Sequence, residues 1–171
     1  MVTALNLGSG KRYDPEAVNL DITAATSPDV IHDLDDIPWP FEDDRFELVR
    51  AIDVIEHLSH PLRAMEEIHR ITRCGGTVEI VVPHFSSANA YTDLTHRSFF
   101  GWHSFDYLTG EHFHDFYSPH RFAIRRRRLW FKGGLANRVA QRFAERWPER
   151  YEQRWAWMFP ACFLDFELEV V

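Results

Sequence analysis

The sequence predicts an α/β domain built on a mostly parallel sheet with an antiparallel last strand. Three observations carry that expectation. The run Leu5 to Gly10 (LNLGSG) reads as a buried strand ending in a turn where a ligand can lie against bare backbone. Short apolar runs then recur with acids at their ends, and one of them is followed by a well-signalled helix and another apolar run. Phe163 to Val171 (FLDFELEVV) alternates, as a half-solvated strand does, and is expected to run antiparallel to a strand around residue 125.

Composition sets the outer limits. At 171 residues, 45% hydrophobic and 15% aromatic, the chain suits a single domain, 1–171, with a sizeable core. No stretch approaches the ~20 apolar residues of a membrane span, and the N-terminus lacks an export pattern, so a soluble cytoplasmic protein is expected. Cys74 and Cys162 form no Cys-x-x-Cys pair and read as buried thiols. The net charge of -7 is uneven: residues 1–120 hold 8 basic and 20 acidic side chains, residues 121–171 hold 11 and 6. General nucleic-acid affinity is not expected from an acidic chain. The run Arg125 to Arg128 reads as a strand with alternate side chains in solvent, in preference to an anion-binding patch.

Taken in order, Gly8-Ser9-Gly10 fits a nucleotide-type cofactor, and an ordinary tight turn fits it about as well. Ala17 to Ile22 (AVNLDI) is a second strand ending in Asp21. The ten residues Lys11 to Leu20 include Pro15 and are too few for the crossover helix of a dinucleotide fold, and Tyr13 stands where that fold needs a third glycine. Pro28 to Asp33 is a short third strand, again ending in an acid, followed by a proline-broken loop through Trp39. Phe46 to Ala51 is a fourth strand. A helix is predicted from Pro61, with Leu62, Met65, Ile68 and Ile71 at helical spacing and Gly75 as its stop. Thr77 to Val82 is the next strand, closed by Pro83-His84.

Residues 85–120 are rich in aromatics and histidine without a clean period and read as a lid or substrate region of loops and short helical pieces. Arg121 to Phe131 suits a long strand. Leu135, Val139, Phe143 and Trp147 recur every four residues on an amphipathic helix stopped by Pro148, and Tyr151, Trp155 and Phe159 suggest another. Core packing is the expected role of both stripes.

Together, LNLGSG, VNLDI, the acid after the third strand, FELVRAIDVIEHL and CGGTVEIVVPH resemble class I S-adenosylmethionine-dependent methyltransferases of the small-molecule, type 11-like kind. The resemblance covers nearly the whole chain. It implies a Rossmann-like seven-stranded sheet with a reversed last strand and helices on both faces. It implies that Gly8, Ser9 and Gly10 cradle the methionine end of the cofactor, and that Asp21, with Ile22 beside it, receives the ribose hydroxyls. Asp33 and Leu34 would meet the adenine, and Ile52 would line the floor. The N-terminal helix that often covers the cofactor in this family is not expected, because the first strand starts so early.

Asp53, Glu56 and His57 are spaced i, i+3, i+4 and are expected on one face of a helical turn. They resemble the E-x-x-E-H element of metal-dependent small-RNA 2′-O-methyltransferases and ubiquinone-pathway O-methyltransferases, with Asp in place of the first Glu. His96 would complete a Mg2+ or Mn2+ site able to activate a hydroxyl. Glu-His pairs also occur in metal-independent relatives, where His84 or His96 could serve as general base. His112-Phe113-His114-Asp115 looks ligand-like, but a solvated loop is the preferred reading and the run stays unassigned. The implied reaction is methyl transfer to a small or carbohydrate-like acceptor at oxygen; the rivals are transfer to nitrogen or carbon without metal, and a non-catalytic cofactor-binding protein. Oligomeric state is not legible in the chain.

Overall fold

Seven strands form one sheet in the order β3-β2-β1-β4-β5-β7-β6 in the computed structural model, which describes residues 2–110 and 115–171. The unassigned His112-Phe113-His114 run lies outside them. β1 (Ala4–Leu7), β2 (Val18–Asp21), β3 (Val30–Ile31), β4 (Phe46–Ile52) and β5 (Thr72–Pro83) pair in parallel. β7 (Phe163–Val170) inserts antiparallel between β5 and β6 (Phe122–Trp130). The reversal that the alternating C-terminal run predicts is therefore present. Its burial alternates residue by residue, with Leu164, Phe166 and Leu168 inside.

Helical elements are unevenly spread. No helix joins β1 to β2, as the ten-residue spacing requires, and the β2–β3 connection holds one 3-10 turn, Ala24–Thr26. α1 (Pro61–Ile71) begins on Pro61 at its first turn and buries Ala64, Met65, Ile68 and Ile71. It ends four residues before Gly75. Thr72 already pairs with Phe46 across the sheet and gives its hydroxyl proton to the Ile68 carbonyl at 2.6 Å, so sheet pairing closes the helix before a glycine can. Gly75 instead takes φ +76° in an irregularity of β5, where the pairing steps from Thr72 to Thr77. Cys74 is exposed there and Cys162 is half-buried, so neither thiol is the buried group expected.

Residues 85–120 carry α2 (Asn89–Thr92) and short 3-10 turns, close to expectation. After β6 come α3 (Leu135–Arg146) and α4 (Pro148–Arg154). Here the aromatic stripes depart from the expected core role: Tyr151 is buried, but Leu135, Val139, Trp147 and Trp155 are exposed. Among the arginines of β6, Arg125 pairs with Glu169, Arg126 with Glu167 and Asp165, and Arg127 with Asp106. The run is a laced strand, not a free anion patch. Among the described residues, no helix is long and apolar enough to cross a membrane.

Candidate active site

The carboxyl ends of β1, β2 and β4 meet around a cleft of about 360 Å³ that reaches from Gly8 and Asp21 to Leu34 and His57. Parallel strands place ligands at this edge, because backbone amides and loop side chains converge there while the strands themselves stay dry. Gly8 and Gly10 take φ +56° and +49°, a left-handed region that side chains rarely enter. A Cβ on Gly8 would lie 2.5 Å from Val54 Cγ2, so bare backbone at that position is a packing requirement as well. Ser9 is buried and its hydroxyl has no partner within the described residues.

Asp21, at the end of β2, is buried and ties the turn down: Oδ2 accepts the Gly10 N–H at 2.7 Å and Oδ1 the Thr23 N–H at 3.0 Å. A carboxylate has about four acceptor directions, which leaves two toward the cleft. Ile22 is exposed beside it. Asp33 accepts the Asp35 N–H at 2.9 Å, an Asx turn that sets the Leu34 backbone at the cleft wall. Ile52 lines an adjoining cavity that it shares with Gly8 and Ser9. Seven of the eight residues proposed for the cofactor thus line one or other of two cavities that share Gly8, and the eighth, Gly10, is tied to Asp21 through its N–H.

The second group is not arranged as its spacing suggests. The 3-10 turn spans only Ile55–His57, and Asp53 precedes it at φ +56°. That conformation turns the Asp53 carboxylate to Arg12, whose Nη2 lies 2.5 Å from Oδ2 while Nη1 reaches the Ile52 carbonyl at 3.4 Å. Asp53 therefore lines the same cavity as Glu56, His57 and His96 but stands outside their close cluster, with one oxygen taken by Arg12: the i, i+3, i+4 argument needs helical backbone, and position 53 has none. Arg12 went unnoticed in the sequence, although a basic pair, Lys11-Arg12, directly after the glycine turn of an acidic half was a usable signal.

Glu56, His57 and His96 do converge, with one potential ligand atom from each lying within 4.8 Å of the others. Their environments are instructive. Glu56 is 1% exposed and neither carboxylate oxygen has a hydrogen-bond partner, and burial pushes its pKa up to about 7. His96 gives its Nδ1 proton to the Ala90 carbonyl at 3.1 Å, which leaves the Nε2 lone pair free, 3.9 Å from Glu56 Oε1. His57 Nδ1 lies 2.8 Å from Thr95 Oγ1, whose own proton goes to Asp93 at 2.7 Å. The Nδ1 proton of His57 must then be the donated one, and its Nε2 lone pair is free too. Burial, and then the neighbouring His96, hold the His57 pKa below its ordinary value. The Arg97 and Ser98 amides donate to the Glu56 carbonyl at 2.8 and 3.2 Å and pin the histidine segment over the turn.

His84 presents a different picture. It is fully buried, Nδ1 accepts the Ser86 N–H at 3.1 Å, and Nε2 meets Glu152 Oε1 at 3.1 Å. A general base needs a nitrogen open to the acceptor, and His84 has none; Glu152, from α4, is the partner that the sequence did not reveal.

Comparison with known proteins gives three findings. A family model described as methyltransferase domain matches residues 5–129. No curated protein matches the chain. Solved structures share the fold at low identity: a SAM-dependent methyltransferase from Archaeoglobus fulgidus (TM-score 0.62, 16% identity, 97% of this chain and 85% of that one) and one from Mesorhizobium loti (0.61, 15%, 97% and 89%). The [4+2]-cyclase SpnF is similar to the same degree (0.61, 12%, 97% and 74%), which is a reminder that this fold hosts more than one chemistry.

Proposed function

Because this chain belongs to the methyltransferase domain family and is an S-adenosylmethionine-dependent methyltransferase, we propose that it methylates an oxygen of a small acceptor held over Glu56, His57 and His96. One observation carries the reading: two oriented imidazoles with free Nε2 lone pairs and a buried, unpartnered carboxylate face one another in a cavity that shares Asp53 and His57 with the cofactor cleft.

S-adenosylmethionine would supply a sulfonium methyl, whose carbon bonds to an in-line nucleophile as the carbon–sulfur bond breaks and its electron pair stays on sulfur. The protein fits it through the glycine cradle, the unpartnered Ser9 hydroxyl and the two free acceptor directions of Asp21. We assign Gly8, Ser9 and Gly10 to the methionine end, Asp21 and Ile22 to the ribose, Asp33 and Leu34 to the adenine, and Ile52 to the floor. Calorimetry tests this directly. Micromolar-range binding of S-adenosylmethionine, weakened at least tenfold by Asp21→Ala, is the expected result, and folded protein that takes up no cofactor would sink the assignment.

The same residues fit a divalent cation held by Glu56, His57 and His96, without Asp53. Both histidines give their second nitrogen proton to an oxygen, as metal-bound imidazoles do, and the carboxylate awaits a positive charge. A cation there would lower the pKa of an acceptor hydroxyl. Two imidazoles and one carboxylate suit Mn2+ or another first-row transition ion better than Mg2+, which prefers oxygen ligands. Titration of chelator-treated protein with Mn2+ is expected to show one site that His96→Ala removes while cofactor binding survives; full turnover in excess chelator would reject the metal. The free Nε2 of His96 supports one alternative, a metal-free site in which that nitrogen takes the acceptor proton.

A further inference from the structure

β6 and β7 are joined by the helical pair α3 and α4, and Trp130 pairs with Phe163, itself the partner of Pro83 in β5. The pair therefore stands at the carboxyl end of the parallel strands, the end that carries Glu56 and the histidines. Its outer surface is unusually apolar. A groove of about 460 Å³ runs between the helices, lined by Val139, Ala140, Phe143, Tyr151, Trp155 and Phe159. Leu135 is 79% exposed, Val139 63%, Trp157 68% and Met158 65%. Of the six tryptophans in the chain, four are exposed, and Trp130, Trp147, Trp155 and Trp157 all lie within or just before this connection.

The charges around that surface are as uneven as its hydrophobicity. Residues 131–159 hold six basic and three acidic side chains. The acids are already engaged: Glu152 with His84 and the Trp102 amide, Glu149 with His103, and Glu145 with Gln141. Lys132, Arg138, Arg142, Arg150 and Arg154 are exposed and have no carboxylate partner among the described residues. On α3, the row Arg138, Arg142, Arg146 runs beside the row Leu135, Val139, Phe143.

We propose that α3 and α4 dock on an anionic lipid bilayer, with the apolar groove and the exposed tryptophans entering the headgroup boundary and the arginines meeting lipid phosphates. Charge complementarity selects this occupant. A second copy meeting the same face across a two-fold axis would set unpaired arginine rows against each other. The inference does not depend on which atom is methylated.

Co-sedimentation with vesicles of phosphatidylcholine alone and of phosphatidylcholine with one quarter phosphatidylglycerol tests the proposal. The full chain is expected to bind the anionic vesicles preferentially, with a blue shift in tryptophan emission and release on raising the salt. Arg138→Glu with Arg142→Glu should weaken binding at least about tenfold, as should Val139→Glu, while the thermal midpoint and cofactor binding stay as in the parent. Trp157→Ala supplies an independent apolar deletion should Val139→Glu disturb folding. Failure to bind anionic vesicles at low salt, equal binding to both vesicle types, or self-association in sedimentation velocity that Val139→Glu abolishes would each overturn the proposal.

Discussion

Gly8 and Glu56 show how single residues are set by their surroundings. Gly8 combines φ +56° with a Val54 methyl 2.5 Å from where a Cβ would stand. Gly8→Ala is expected to cost about 1–3 kcal/mol in a denaturant melt and to weaken cofactor binding at least tenfold; a variant with parental affinity would contradict the cradle. Glu56 carries the opposite kind of strain, a buried carboxyl with no partner in the metal-free protein. Its pKa rises from 4.5 to about 7 on folding, so between those values the folded state binds the extra proton. Stability must then fall as pH rises through that window and stay low above it. In chelator, Glu56→Gln should melt above the parent at pH 8, by on the order of 3 kcal/mol at most, and converge with it near pH 4. A parent midpoint insensitive to this pH range would argue against an unpartnered carboxylate.

Among the elements, α1 is held to the loop before β4 through its own Glu67–Arg70 pair, whose two members each reach into that loop. Glu67 accepts Arg70 Nη2 at 2.6 Å, Arg70 Nε at 2.9 Å and the Trp39 N–H at 2.7 Å, and Arg70 reaches on to the Phe41 carbonyl and Asp43. Burial alone would raise the Glu67 pKa, but the hydrogen bonds from Arg70 and Trp39 outweigh it and hold the group below its ordinary value. A depressed carboxylate contributes stability above its unfolded pKa and loses it as pH falls through the folded one. Glu67→Gln should therefore destabilise by about 2 kcal/mol at pH 7, with the gap closing in acid; an undiminished gap at pH 3 would rule out the linkage. The same scale explains a miss. Helical periodicity identified α1 and α3 equally well, yet one buries its apolar row and the other exposes it. A periodic pattern marks a face and leaves open what covers it.

For the whole molecule, mass action makes the cofactor a stabiliser: ligand at 100 times its Kd adds about 2.7 kcal/mol. For a domain of this size that moves Tm by roughly 5–10 °C, measurable by scanning fluorimetry, and a midpoint unmoved by saturating S-adenosylmethionine would count against an intact cleft. Much of the architecture was legible because it rests on local rules: apolar runs of strand length, the short reach from Gly10 to Asp21, and the alternation that reversed β7. Asp53 was misplaced because its left-handed backbone breaks the helical spacing, and His84 because its partner Glu152 lies 68 residues away in sequence. Cys74 was misplaced because the irregular start of β5 turns it outward.

By itself the sequence determined the strand order's raw material, the helix at Pro61, the glycine turn and the family, because these depend on side-chain period and on short-range spacing. Only the tertiary structure decided that Glu56, His57 and His96 meet while Asp53 goes to Arg12, and that the apolar row of α3 faces outward. Each of those outcomes depends on what packs against a residue from a distant part of the chain, which no local pattern encodes.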